Sequence, residues 1–349
     1  MSKLPGVASK VVLEDLARAA GVHRSTVSLA LRDHPRISKE VRERIQRLAG
    51  EMGYRVNPLV AALMQSRRSG RKVRDVVLAY VTNHPTRYGW RPQYHDRPDY
   101  FPGAEARALE LGYKLEHFWL AEAGMSPERL SDILTVRGIH GVIVGRMPPG
   151  EKRVRLLWER FSCVALGLTL LEPNLHRVAE DHFVSAGRAL DHMLALGYRR
   201  IGFVFSDIDD SPAVGDRLLG AYLRRMISAG LDSRIDPYFF EEGADPVQRF
   251  KAWLERWQPD SVIATHSRPV MAWLKQLKLR VPGDIGVATL TNHHLEDGCA
   301  GIRCDSAKLG GLGIEMLVGL MHRGETGVPD DPHEVLLGGD WLDGRTLGR

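Results

Sequence analysis

The sequence predicts an α/β protein with an N-terminal three-helix, helix-turn-helix head and a core of two doubly wound parallel-sheet lobes. Two patterns lead to this fold class. Short amphipathic helical segments, with a glycine between the first two, lie between residues 11 and 52. From residue 73 onwards, apolar runs of strand length alternate with helical segments, which is typical of parallel sheets covered on both faces. The strands are too many for one small sheet, so we expect two.

The head begins with two short helices joined at Gly21, a residue able to take the positive φ at which helices often end. Apolar residues of the first helix recur at the spacing of one helical face, and they are Leu13, Leu16, Ala17 and Ala20. The apolar face of the second helix consists of Val27, Ala30 and Leu31. The two segments therefore predict helices that pack against each other.

A third helix follows from Ser38, a residue type that caps helix N-termini. Its inward-facing residues are predicted to be Val41, Ile45, Leu48 and Met52. Three short helices with a glycine at the first turn describe a helix-turn-helix unit, although a generic three-helix subdomain has the same periodicity. In a helix-turn-helix unit the second helix lies in the DNA major groove, and its first residues meet base edges.

The basic charge of the chain is concentrated in its first 75 residues. The whole chain carries 48 Lys and Arg against 43 Asp and Glu, a net charge of +5. Residues 1–75 hold 16 Lys and Arg against 7 Asp and Glu, whereas the remainder holds 32 against 36. A basic head on a mildly acidic body favours a polyanionic partner for the head alone, while a solvated basic tail is the simpler alternative.

The segment "VVLEDLARAAGVHRSTVSLALRDHPRISKEVRERIQRLAGEMGYRVNP" resembles the DNA-binding head of the LacI/GalR family of bacterial transcriptional regulators. The resemblance implies a sequence-specific regulator, a repressor, that binds double-stranded operator DNA. It also implies that base-reading side chains stand at the start of the second helix. The DNA-binding residues expected in the head are His23, Arg24, Ser25, Thr26, Ser28, Leu29 and Arg32.

Two residues of this segment depart from the family pattern. His23 stands where the family usually has Ser or Thr, so we expect the second helix to be capped less well. Leu29 stands where the family often has Arg. A Leu side chain can contact a thymine methyl group but cannot form the bidentate bond to guanine, so the preferred operator should differ at that base pair.

The segment "NPLVAALMQSRRSGRK" predicts a short hinge helix followed by a basic linker. Asn57 is a suitable N-cap, and Pro58 suits the first helical position because its missing N–H is not needed there. A plain domain connector would fit the same residues. The family resemblance implies more, namely a helix that folds beside its twin in the minor groove and inserts Leu63 between base pairs. Asn57 and Leu63 complete the expected DNA-binding set.

The body is predicted to contain six strands and seven helices. The strand candidates are 76–81, 141–145, 163–168, 200–205, 261–265 and 286–290. The helix candidates are 102–111, 126–136, 183–196, 215–229, 245–256, 268–277 and 306–322.

The phrases "LDHMLALGYRRIGFVFSD" and "LRVPGDIGVATL" extend the family resemblance to the body, and they imply a periplasmic-binding-protein-like (type I) core. The expected domains are 1–56 (DNA-binding), 57–72 (hinge helix and linker) and 73–349 (effector-binding and dimerisation core). Within the core we expect an N-lobe at about 73–179 and 305–332 and a C-lobe at about 180–304 and 333–349. The chain should cross between lobes near 178–182, 300–306 and 331–334. Outer helices of the lobes should form a homodimer.

The resemblance also implies an effector cleft between the lobes, at the carboxyl ends of the strands. The effector-binding residues carried over are Asn83, Trp90, Arg146, His182, Arg217, His266, Thr291 and Asn292. Arg217 is the strongest candidate, because the family typically grips its ligand with an Arg three residues before a helical Gly. The effector class implied is a sugar or a sugar-derived metabolite.

This cleft differs from the family pattern at two places. His266-Ser267 replaces a common Asn-Asp pair, and Thr291 replaces a common Asp. Both changes remove groups that accept hydrogen bonds from sugar hydroxyls, which favours an anionic ligand or a degenerate pocket over a neutral hexose. Trp90 lies in a long aromatic-rich loop at 82–103, where it either stacks on a ligand or packs the loop.

The sequence carries no HExxH, GxSxG or P-loop pattern, so we expect no catalytic residues, metal or cofactor. Three cysteines without a CxxC pair favour reduced thiols in a cytoplasmic protein. The first residues lack the apolar region of a secretory signal, and no apolar run is long enough to span a bilayer. The alternative left open is a small-molecule-binding or enzymatic α/β protein whose basic head is accessory.

Overall fold

The computed structural model describes residues 13–31, 36–52, 76–91, 98–206, 212–231, 235–240, 245–291 and 298–348. They form a three-helix head and two six-stranded sheets flanked by helices. The predicted α/β fold class is confirmed. None of the helices in these ranges is long and apolar enough to cross a membrane.

The head consists of α1 (Leu13–Ala20), α2 (Arg24–Ala30) and α3 (Lys39–Glu51). Gly21 has φ of 64°, the left-handed conformation that the turn between α1 and α2 requires. Ser38 caps α3, because its hydroxyl oxygen accepts a hydrogen bond from the Val41 N–H at 3.4 Å. The fully or nearly buried residues come from all three helices, and they are Leu16, Ala17, Val27, Ala30, Ile45 and Ala49. The predicted apolar stripes thus meet in one small core.

After the head, the chain forms twelve strands and seven longer helices within the described ranges. The first part contains β1 (Val76–Thr82), α4 (Phe101–Glu110), β2 (Tyr113–Trp119), α5 (Pro127–Val136), β3 (Gly141–Val144), β4 (Ser162–Leu166) and β5 (His176–Glu180). The second contains α6 (His182–Ala195), β6 (Ile201–Ser206), α7 (Pro212–Ser228), β7 (Tyr238–Phe240), α8 (Pro246–Trp257), β8 (Ser261–Ala264), α9 (Ser267–Gln276), β9 (Gly286–Thr289) and β10 (Ala300–Arg303). The last contains α10 (Ser306–Arg323), β11 (Glu334–Leu337) and β12 (Asp340–Leu342).

The strands form two separate sheets, each the centre of one lobe. The first sheet has the order β11-β5-β4-β3-β1-β2, and all its neighbours are parallel. The second has the order β12-β10-β9-β8-β6-β7, and only β12 among these strands runs antiparallel to its neighbour. In a parallel sheet the carboxyl ends lie at one edge, so the residues that follow each strand are brought together there.

Helices α4 and α10 pack unusually closely on one face of the first sheet. A Cβ added at Gly103 would collide with the Ala307 carbonyl oxygen, and one added at Gly310 with the Tyr100 carbonyl oxygen. Only glycine allows the two helix backbones to approach in this way. The contact holds Tyr100, which precedes α4, against the start of α10.

The chain passes between the sheets at three places. It leaves the first sheet after Glu180, returns after Arg303 and leaves again after Leu337. The prediction of a third crossing near 331–334 is therefore wrong, because β11 pairs in parallel with β5 and still belongs to the first sheet. The chain instead crosses after β11, through Gly338 and Gly339.

Candidate DNA-binding surface and effector cleft

Helix α2 presents one face to the core of the head and leaves its first residues accessible. Val27 and Ala30 are buried, whereas His23, Arg24 and Ser25 are exposed. The predicted positions Thr26, Ser28 and Leu29 are partly exposed. The remaining predicted DNA contacts, Arg32, Asn57 and Leu63, lie outside the described residues. The DNA contacts therefore stay predictions, on a helix whose accessible end carries the polar side chains they need.

His23 caps α2 through a ring nitrogen. Its backbone is extended, with φ of −69° and ψ of 146°, as an N-cap requires. The Ser25 N–H donates to His23 Nδ1 at 3.3 Å, and the Ser25 hydroxyl lies 2.8 Å from the same nitrogen. Because Nδ1 accepts the N–H bond, the neutral ring carries its proton on Nε2. The cap that we expected to be poorer than a hydroxyl is thus present, and its bond of 3.3 Å is no longer than the 3.4 Å bond to the Ser38 hydroxyl that caps α3.

Several predicted effector-binding residues follow the strands at the carboxyl edges of the two sheets. Asn83 follows β1 and Arg146 follows β3 in the first sheet, while His182 begins α6 after the first crossing. In the second sheet, His266 follows β8, and its Nδ1 lies 3.1 Å from the Thr291 hydroxyl beyond β9. The Thr291 hydroxyl also donates to the Thr265 carbonyl oxygen. Asn292 lies outside the described residues.

Trp90 packs inside the first lobe. Its side chain is 6% exposed, and its ring centroid lies 5.4 Å from that of Tyr80 and 5.3 Å from that of Phe101. The indole N–H donates to the Arg87 carbonyl oxygen at 3.0 Å. Aromatic neighbours surround the Trp90 ring in this structure, and stacking of Trp90 on a ligand stays a prediction. The loop-packing alternative describes the ring in this structure.

Arg217 forms an ion pair between the lobes. Its Nη2 lies 2.8 Å from Glu334 Oε2, so α7 of the second lobe is joined to β11 of the first. The other oxygen of Glu334 lies 3.6 Å from Nε of Arg177, whose side chain is only 5% exposed. Burial lowers the pKa of Arg177, while Glu334 raises it and Arg217 lowers it further. We call Arg177, Glu334 and Arg217 the interlobe triad.

The triad leaves donors unused. Among the described residues, Arg217 Nη1 and Arg177 Nε are buried and have no hydrogen-bond partner. The two other nitrogens of Arg177 donate to the Leu170 carbonyl oxygen at 3.0 Å and to Asn174 Oδ1 at 2.7 Å. Arg217, the predicted ligand-gripping residue, thus already pairs with a carboxylate of the protein itself, while its Nη1 has no hydrogen-bond partner within the described residues.

Two further residues at the carboxyl edge of the first sheet were not identified from the sequence. His117 Nε2 lies 2.8 Å from the Thr82 hydroxyl, and burial, followed by Arg87 and Arg91, lowers its pKa to about 4. Glu180 is the last residue of β5 and is 4% exposed. Both lie on strands that the apolar patterns did not predict. Within the described ranges, no group of three or more His, Cys, Asp or Glu side chains could hold a metal ion.

These features define a class of protein, namely a helix-turn-helix regulator whose DNA-binding head precedes a two-lobed α/β core. Residues 12–57 match the family described as "Bacterial regulatory proteins, lacI family", and residues 190–347 match "Periplasmic binding protein-like domain". The head therefore matches the DNA-binding domain of the LacI family of bacterial regulatory proteins, and the core matches a periplasmic-binding-protein-like domain. The resemblance noted in the sequence is confirmed.

Relatives and solved structures agree with this assignment. The HTH-type transcriptional repressor CytR of Escherichia coli (strain K12) is 25% identical over 302 residues, covering 82% of this chain and 82% of CytR. The transcriptional regulator CelR–cellobiose complex has a TM-score of 0.57 at 19% identity, covering 96% of this chain and 99% of CelR. The lac repressor dimer bound to operator and the anti-inducer ONPF has a TM-score of 0.55 at 16% identity, covering 97% and 99%. At these identities the two structures establish the shared fold.

Proposed function

We propose that this chain is a cytoplasmic, sequence-specific repressor that binds operator DNA as a homodimer and is controlled by a small-molecule effector held between its lobes. The observation that carries the proposal is the accessible start of α2, where Arg24 and Ser25 are exposed in a head that otherwise matches the family. Such residues meet base edges when the second helix enters the major groove. Two heads related by a twofold axis would read a pseudopalindromic operator.

Charge and relatives support the DNA-binding half. The excess of Lys and Arg over Asp and Glu within residues 1–75 suits a phosphate backbone, which supplies much of the affinity of DNA-binding proteins. One similar structure is a lac repressor dimer bound to operator, and one relative is named a transcriptional repressor. Repression and dimerisation are proposed here on that basis.

The effector half is supported by the two-lobed core and by a similar structure that contains cellobiose. A ligand that favours one relative orientation of the lobes would shift operator affinity through the segment joining core and head. Couplings of about 1–3 kcal/mol correspond to changes of about 5–150-fold in affinity. We therefore propose a sugar or sugar-derived metabolite as the effector class, with Arg146, His182, His266 and Thr291 among the residues near it.

The test is a gel-shift titration of the full-length protein on DNA from upstream of its own operon, with bulk genomic DNA as competitor. We expect a retarded complex that prefers its site over bulk DNA by about 10³-fold or more. Arg24→Ala should weaken this complex, whereas Arg160→Ala, which removes an exposed partner of Asp132 in the core, should leave it unchanged. Absence of any complex at low salt would refute the proposal, and equal affinity for bulk DNA would refute sequence-specific binding.

A further inference from the structure

Glu180 carries a buried carboxylate oxygen for which the described structure provides no hydrogen-bond donor. The residue ends β5, is 4% exposed, and its Oε1 is buried and unpartnered. An ionised carboxylate loses its hydration on burial, and proteins normally compensate this loss with donors or a cation. The adjacent Asp181 illustrates the usual arrangement, because its Oδ1 accepts the Val184 N–H at 2.9 Å and caps α6. Within the described residues, no donor of this kind reaches Oε1 of Glu180.

The surroundings of Glu180 lie at the carboxyl edge of the first sheet. Side chains two residues apart on a strand share a face, so Glu180 lies on the side of Val178, which packs in one cluster with Tyr100 and Leu166. Burial raises the pKa of Tyr100; Glu180 raises it further, while Arg146 lowers it. Glu180 lies at the end of β5 and Arg146 follows the end of β3, and both shift the pKa of Tyr100.

The position also lies where the two lobes are joined. Asp181, the next residue, begins the first crossing, and Cys304 of the second crossing is close enough for Glu180 to raise its pKa, although burial is the larger cause. Backbone at the third crossing is adjacent as well, because Leu337 pairs with Glu180 in the sheet register. A rotation of the lobes about these crossings would therefore change which residues cover the Glu180 side chain.

We propose that Glu180 is an effector-binding residue, whose free oxygen accepts a hydrogen bond from a hydroxyl or ammonium group of the ligand. The inference rests on the proposed function and narrows its effector class to a ligand that offers a neutral or cationic donor at this point. A carboxylate or phosphate at the same point would be repelled. Glu180 also supplies the kind of acceptor that the family's Asn, Asp and Asp positions lose here as His266, Ser267 and Thr291.

The oxygen is covered in the present conformation, so the ligand donor reaches it as the lobes move apart at the adjoining crossings. Once bound, the donor compensates the carboxylate, and the ligand then favours the lobe orientation that keeps this bond. Without ligand, the carboxylate is a destabilising group retained in the core. This predicts that its removal stabilises the free protein and abolishes the response to ligand.

The experiment uses thermal unfolding of the full-length protein with glucose, cellobiose, glucosamine, gluconate and glucose 6-phosphate as probes. The variants are Glu180→Gln and Glu180→Ile, and the control is Glu110→Gln, which removes an exposed partner of Arg107 on α4. Without ligand, we expect the Glu180→Ile variant to melt about 2–4 °C above the wild type, as for a gain of about 1 kcal/mol. For the probe that stabilises the wild type, Glu180→Ile should lose at least about tenfold in affinity, and Glu110→Gln should lose none.

The outcomes separate this inference from the proposed function. A probe that binds the wild type and both Glu180 variants equally would overturn the role of Glu180 and leave the effector proposal intact. A lower melting temperature of both variants without ligand would also overturn it, since Glu180 would then have a structural partner.

Stronger binding of gluconate or glucose 6-phosphate than of the neutral sugars would contradict the donor class. A preference for glucosamine over glucose would identify the donor as an ammonium group, and the reverse as a hydroxyl. Failure of every probe to shift the wild type would overturn the effector proposal and this inference together.

Discussion

Replacing Glu334 with Gln should destabilise the core through Arg177, the most deeply buried member of the interlobe triad. The substitution keeps the shape of the side chain and an amide oxygen for Arg217, but it removes the negative charge that the two guanidinium groups share. Arg177 is 5% exposed and its Nε has no hydrogen-bond acceptor in the described structure, so its charge is balanced by Glu334, whose Oε1 lies 3.6 Å away. Breaking a fully buried ion pair from one side costs about 3–5 kcal/mol.

The expected magnitude for Glu334→Gln is smaller than that limit. Glu334 is 37% and Arg217 is 28% exposed, so solvent screens their pair, and exposed pairs contribute only about 0.2–1 kcal/mol. Leaving the Arg177 charge without its partner adds roughly 1–3 kcal/mol. We therefore expect a loss of about 2 kcal/mol, which lowers the melting temperature by about 4–8 °C for a core of this size.

The assay is calorimetric unfolding of the full-length protein at pH 7, with Glu110→Gln as the matched control. The Glu110 side chain is 64% exposed and pairs with Arg107 at 2.7 Å, so its loss should cost under about 0.5 kcal/mol. If Glu334→Gln melts within 1 °C of Glu110→Gln, a threshold of about half a kcal/mol, then Arg177 does not depend on Glu334 and the reasoning about the triad is refuted.

Three further predictions concern the head, the hinge and pH. Arg24→Ala should cost about 1–3 kcal/mol of operator affinity and relax specificity at one base pair, measured by gel shift on single-base operator variants; a uniform loss on all variants would instead show a phosphate contact. Leu63→Ala should weaken operator binding and leave effector affinity unchanged, because an intercalating wedge acts only on DNA; equal loss of both would contradict it. Burial lowers the pKa of His117 in the folded protein to about 4, below the ordinary value of 6.5, so the unfolded chain takes up the proton first on acidification. The wild type should therefore lose stability relative to His117→Gln as the pH falls from about 6.5 to about 4, and parallel melting profiles over that range would refute the shift.

The helices and the central strands were predictable because each carries its own periodic signal. All seven predicted helices of the body agree with the observed bounds to within about three residues at each end, and the six predicted strands are observed. The missed strands include β2 and β11, whose sequences "YKLEHFW" and "EVLL" do not read as buried runs. Both strands lie at the edges of the first sheet, where exposure to solvent permits polar residues. Because such a sequence lacks a buried apolar run, the strand is recognised only from its pairing with a neighbour in the structure.

The site was less predictable than the fold because its contacts join distant parts of the chain. Family resemblance could place Arg217 at the start of α7, but the ion pair that occupies it comes from a residue 117 positions later. The same holds for Trp90, whose exposure depends on Tyr80 and Phe101 closing around it. Glu180 was overlooked because its segment reads as a crossing between lobes, where a Glu is ordinarily solvated.

The triad and Glu180 are not independent, because both lie on the paired strands β5 and β11. Glu334 lies opposite Arg177 and Leu337 lies opposite Glu180, so the two features are separated by three residues, or about 10 Å, along a rigid ladder. A ligand that engages Glu180 at the crossings must therefore act on the same two strands that hold Arg217 of the other lobe. If the triad holds the lobes in the unliganded orientation, Glu334→Gln should raise ligand affinity while it lowers stability. The substitution destabilises the unliganded orientation, which competes with ligand binding. Combining Glu334→Gln with Glu180→Ile should then remove that gain, whereas independent sites would give additive effects on affinity.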